Sequence, residues 1–96
     1  MRVVFSPLAR RELRNQVQYL IDHDGSVAAK RLKTCVMSFL KETIAPFPRI
    51  GLPIEHRDLY EVWVPSTRLI LWYRISKDLI EVVRVWHAAQ DRSGQP

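Results

Sequence analysis

The chain has 96 residues, 47% hydrophobic and 26% charged, a balance that fits one globular domain over residues 1–96 and excludes a disordered or fibrous chain. A single core at this size does all the packing, so a cleft between two domains is excluded as a site. Fifteen Lys and Arg against ten Asp and Glu leave +5, which favours an anionic partner such as nucleic acid, an acidic protein segment or a membrane surface, without choosing among them.

Val3 to Phe5 are β-branched or aromatic and stop at Ser6-Pro7, where a hydroxyl can cap a helix whose first turn tolerates the missing proline N–H. From Leu8, the apolar residues Leu13, Val17, Leu20 and Ile21 recur at helical spacing while Arg10, Arg11, Arg14 and Gln18 fall elsewhere. This predicts an amphipathic helix to about His23. Asp24-Gly25-Ser26 ends it and caps the next. In the second helix Ala28, Leu32, Cys35, Val36, Phe39, Leu40 and Thr43 form one stripe that stops before Pro46. A three-residue connection makes the pair an antiparallel hairpin.

Pro46 to Pro53 holds three prolines and a glycine in eight residues, which excludes regular helix and central strand. Three strands are predicted after it: Leu59 to Val64, Leu69 to Ile75 and Leu79 to Trp86, joined by Pro65-Ser66-Thr67 and Ser76-Lys77-Asp78. Connections this short give an antiparallel meander. The predicted class is therefore α+β: an N-terminal strand, a helix hairpin, then a three-stranded meander with the helices on one face.

Period-2 alternation assigns the two faces. Tyr60, Val62, Val64, Leu69, Leu71, Tyr73, Ile75, Val83 and Val85 are expected under the helices. Glu61, Trp63, Arg68, Ile70, Trp72, Arg74, Ile80, Val82, Arg84 and Trp86 are expected on the uncovered side. All three tryptophans and three arginines would then share an open face. Guanidinium groups grip phosphate and indoles stack on bases, so such a face suits RNA or a docked protein segment. The plainer reading is that the tryptophans simply pack, with arginine stems lying across them. Trp63, Trp72, Trp86, Arg57, Arg74, Arg84 and Arg92 are the candidate nucleic-acid or target contacts.

His23 falls at a helix C-terminus, where positive charge is favourable, and reads as structural. His56 stands between Glu55 and Arg57 in a loop and reads as solvated. His87 closes the β-forming run IEVVRVWH where the chain leaves the sheet, and strand ends are where sites are displayed. Alternation aims it at the helix side. Cys35 is the single cysteine, which excludes an internal disulfide and fits a reducing compartment. No Cys or His pair has metal-ligand spacing, no glycine loop cradles phosphate, and no serine nucleophile has its local signature. Neither metal nor cofactor is expected. No apolar run reaches a membrane-spanning length and the first residues lack a signal-peptide core, so the expected location is the cytoplasm.

The segments VVFSPLARREL, FPRIGLPIEH, LYEVWVPSTRLILWYRI and IEVVRVWHAAQDR, in this order and over nearly the whole chain, resemble the RelE/ParE superfamily of toxins from bacterial type II toxin–antitoxin modules. The resemblance implies a toxin neutralised by a cognate antitoxin in a hetero-oligomer, with operator DNA reached only through the antitoxin. The neutralising segment is expected to be acidic and amphipathic, covering Trp63, Trp72 or Trp86 and neutralising Arg68 or Arg84.

Members of the superfamily differ in target. RelE- and YoeB-like toxins cut messenger RNA on the ribosome, and ParE-like toxins poison DNA gyrase without known hydrolysis. Metal-free RNA cleavage needs a proton acceptor, a proton donor and a cation on the phosphorane. Carried over from YoeB-like members by position, these roles fall to Glu55 as base, Arg68 as phosphate clamp and His87 as acid. A RelE-type mechanism fits less well, because its lysine positions read Glu61 and Trp63 and the tail offers Arg92 but no tyrosine after Tyr73. The ending RVWHAAQDR also resembles ParE-like and plasmid-stabilisation members. Ribosome-dependent mRNA cleavage is thus slightly favoured, with gyrase inhibition as the alternative and a non-toxic, autoregulatory antitoxin binder as the third reading.

Overall fold

The computed structural model describes residues 1–89; Arg92, one of the candidate contacts, lies outside them. The chain runs β1 (Arg2–Phe5), α1 (Pro7–Asp24), α2 (Ser26–Phe39), a π-helical turn (Leu40–Ile44), β2 (Leu52–Pro53), β3 (Tyr60–Trp63), β4 (Leu69–Ser76) and β5 (Leu79–His87). The sheet order is β1-β5-β4-β3-β2. β1 lies parallel to β5, and every other pairing is antiparallel. The predicted meander is therefore the centre of a five-stranded mixed sheet. Pro53 is confined to an edge strand, where the missing N–H costs no ladder bond.

Ser6 caps α1 as expected, its Oγ accepting from Ala9 N at 3.0 Å. The same hydroxyl donates to the Val83 carbonyl at 2.9 Å, and the Ser6 N–H donates to Val82 O at 2.9 Å. One residue thus ends β1, starts α1 and ties both to β5. The helix connection is tighter than the three residues expected. Gly25 alone joins α1 to α2, at φ +95° and with its N–H on Leu20 O at 2.9 Å, a left-handed conformation that glycine adopts without steric cost.

The main core lies between helices and sheet: Ala9, Leu13, Val36, Leu40 and Ile44 meet Val62, Val64, Leu69, Leu71, Tyr73, Ile80, Val82 and Val85. Ile80 and Val82 correct the expected face assignment. Trp72 pairs with Arg84 but Tyr73 pairs with Val82, so Val83 is an extra residue in β5. A bulge of this kind shifts alternation by one, turning Ile80 and Val82 toward the helices while Arg84 and Trp86 stay on the far side. Val83, expected under the helices, is only partly buried.

The far face is not open. Ile70, Trp72 and Trp86 form a second cluster, closed over by Ile54, Leu59 and Ala88. Trp72 and Trp86 are 5% and 3% exposed and meet edge to face at 5.1 Å, whereas Trp63 is 57% exposed. The shared face of three exposed tryptophans is thus replaced by a small core covered by the loop after β2.

Candidate functional site

A groove of about 440 Å³ lies between the helix hairpin and the β4–β5 end of the sheet. Leu20, Leu32, Cys35 and Leu69 give it apolar walls, and Arg31, Arg68 and His87 line it with Tyr19, Gln16 and Thr67. No carboxylate lines it among the described residues. The groove therefore suits an apolar segment carrying negative charge.

Arg68 and His87 come together because β4 begins where β5 ends. Leu69 pairs with His87, and Ala88 N donates to Arg68 O at 2.8 Å. Thr67 fixes the turn before Arg68: its hydroxyl donates to Val64 O at 2.9 Å and accepts from Leu69 N at 3.0 Å. Ser66 accommodates the turn with φ +65°. Ala89 N donates to His87 Nδ1 at 3.1 Å, a bond that requires an unprotonated Nδ1 and so places the ring proton on Nε2. His87 faces the helix side, as the alternation predicted.

Glu55 is not part of this group. It stands in the loop that closes over the far face, 88% exposed beside an equally exposed His56, whose Nε2 is 3.4 Å from it. Arg57, in the same loop, holds its guanidinium 5.7 Å from the Trp72 ring. Arg74 is exposed and pairs with Glu81 at 3.0 Å.

Arg84 is held inside the molecule. Its Nε and Nη2 donate to the Glu12 carboxylate at 3.1 and 2.8 Å, and its guanidinium lies 4.0 Å from the Trp86 ring. Glu12 Oε1 also accepts from Val85 N at 2.8 Å. No strand accepts that N–H, because β1 pairs with β5 only as far as Val82 and then turns into α1, which leaves the upper edge of β5 bare. A carboxylate from α1 satisfies it instead. Trp86 Nε1 has no acceptor among the described residues.

Two residues that carry this arrangement were not singled out from the sequence. Glu12 was named neither as a core position nor as a site candidate. Tyr73 was counted as core, yet its buried hydroxyl donates to Pro48 O at 2.7 Å and accepts from Gly51 N at 3.1 Å, pinning the proline-rich loop to β4. A Cβ on Gly51 would stand 2.7 Å from that hydroxyl. Burial pushes the Tyr73 phenol up from its ordinary value, against a lowering by the Gly51 N–H.

No three His, Cys, Asp or Glu side chains gather into a metal-binding group among the described residues. No helix there is long and apolar enough to cross a membrane.

The same fold occurs in solved toxin structures. A chain from the chromosomal ParDE toxin–antitoxin system of P. aeruginosa superposes with a TM-score of 0.75 at 14% identity, covering 91% of this chain and 95% of that one. A chain of the intact E. coli RelBE complex gives 0.58 at 20%, covering 93% and 98%. E. coli YafQ gives 0.51 at 17%, covering 93% and 96%. A helix hairpin against this sheet is thus the architecture of RelE/ParE superfamily toxins. No curated protein sequence gives a significant match. The family described as ParE toxin of type II toxin–antitoxin system, parDE, matches residues 3–92, and the chain belongs to that family.

Proposed function

We propose that this chain is the toxin of a toxin–antitoxin pair and that it acts by docking on DNA gyrase, without cutting RNA. The observation that carries the reading is the separation of the three cleavage candidates. Arg68 and His87 share the groove, while Glu55 belongs to the loop over the opposite face, where it stands 3.4 Å from His56. General base catalysis needs the base within hydrogen-bond reach of the attacking hydroxyl, and no described carboxylate lines the groove to take that role. Membership of the ParE family and the ParDE likeness point the same way.

The antitoxin of this reading seats an acidic, apolar segment in the groove against Arg31, Arg68 and His87. Covering Trp72 or Trp86, or neutralising Arg84, is no longer part of it, since the first two are buried and the third is paired with Glu12. Trp63 remains exposed.

The neighbouring placement of Arg68 and His87 favours a second reading, cleavage of ribosome-bound mRNA with His87 as the acid. Pulse-labelling of protein and DNA synthesis after induction, with wild type and His87→Ala, separates the two. Docking on gyrase predicts that DNA synthesis stops first, that purified toxin blocks gyrase supercoiling, and that the variant stays toxic. Early arrest of translation with cut mRNA and a harmless variant overturns it. Normal growth on induction of the wild type overturns both in favour of an autoregulatory antitoxin binder.

A further inference from the structure

The charge is unevenly distributed along the fold. Arg10, Arg11 and Arg14 stand exposed on the first half of α1, and none has a side-chain partner among the described residues. The helix has no acidic residue in its first turn. Glu12, the carboxylate nearest to them in sequence, is taken by Arg84 and the Val85 N–H.

This placement works against the stability of α1. Arg10 stands in the first turn, where a cation opposes the macrodipole, and Arg10 with Arg14 is a like-charge pair at i, i+4. The fold therefore keeps a compact positive patch that its own energetics disfavour. Arg10 to Arg14 advances about 6 Å along the helix axis, which lets both guanidinium forks reach neighbouring phosphates of one strand.

From this we infer that the Arg10–Arg11–Arg14 patch grips the backbone of duplex DNA. It is a contact separate from the groove, and it rests on the gyrase reading, in which the target carries DNA. A duplex is favoured over a single strand because no unengaged aromatic ring accompanies the arginines. Tyr19, the exposed aromatic of α1, is stacked on His23 at 4.0 Å, and single-strand binders rely on such rings to stack bases. Arginines alone read phosphate and not sequence.

The test measures binding of the full-length chain to a labelled random-sequence DNA duplex across a salt series. Wild type is compared with Arg10→Gln/Arg11→Gln/Arg14→Gln and with Lys30→Gln/Lys33→Gln/Lys41→Gln, which removes equal charge from α2 and the π-turn. Circular dichroism establishes that both variants fold. The inference predicts that the arginine variant loses about tenfold or more in affinity at low salt. The slope of log K against log salt should fall by about 2–3, with a much smaller change in the lysine variant.

Equal losses in the two variants, absence of duplex binding by wild type, or tighter binding of a single strand or of duplex RNA would each overturn it. Supercoiling inhibition in the same samples separates this inference from the target reading. A chain that inhibits gyrase but does not bind duplex overturns the patch alone. A chain that binds duplex through the three arginines but spares gyrase overturns the target and supports the patch.

Discussion

Glu12 of α1 and Arg84 of β5, 72 residues apart in sequence, form a two-point ion pair whose shorter bond is 2.8 Å. The side chains are only 17% and 15% exposed, and the carboxylate also closes the free Val85 N–H. Removing one partner of such a pair leaves the other charge poorly solvated.

Glu12→Ala is therefore expected to lower the unfolding free energy by about 2–3 kcal/mol, and Glu12→Gln by about half that, since the amide oxygen can still accept from Val85. Urea midpoints at constant m-value measure this. A change within error for Glu12→Ala would show the pair to be incidental.

Tyr73 and Gly51 are expected to be coupled. Tyr73→Phe leaves the Gly51 N–H and the Pro48 carbonyl without their partner, a loss of about 1–3 kcal/mol. Gly51→Ala drives a methyl against the Tyr73 hydroxyl, with Tyr60 Cβ at 3.0 Å and Val62 Cγ1 at 3.1 Å, and costs about as much by overpacking. Removal of the hydroxyl relieves one of those clashes, so the double variant should lose less than the sum. Strict additivity in a double-mutant cycle would refute the coupling.

Burial raises the Tyr73 pKa in the folded state, so the neutral phenol is favoured there. The stability this contributes is complete below the unfolded tyrosine value, about 10, and is lost as pH rises through the folded value. Wild type should lose stability above pH ~10 more steeply than Tyr73→Phe, as read by urea midpoints against pH. Parallel curves would exclude Tyr73 as the source.

The tryptophans should divide two to one. Acrylamide should quench mainly Trp63, so Trp63→Phe should remove most of the quenchable emission, while Trp72→Phe should leave it. Replacing Trp72 also removes the bond its indole donates to Glu61 Oε1 at 2.8 Å, and should destabilise the fold by about 3 kcal/mol or more if cut to alanine. Equal quenching of all three rings would mean that the far face is open.

Local pattern determined the elements. The capping hydroxyl of Ser6, the helical stripes, the proline-rich break and the alternating strands each depend on neighbours in sequence, so α1, the start of α2 and the strands β1, β3, β4 and β5 fell where expected, whereas the π-helical turn Leu40–Ile44 and the short β2 did not. The family likeness followed from the same segments. Tertiary structure decided which face each strand residue takes beyond the bulge, because the register of β5 against β4 leaves Val83 as an extra residue. It decided that the loop after β2 buries Trp72 and Trp86. It also decided the site, bringing Arg68 beside His87 through strand pairing while leaving Glu55 in that loop and locking Arg84 onto Glu12. Periodicity reports how a segment sorts water from core, and carries no information about which distant segment supplies the partner.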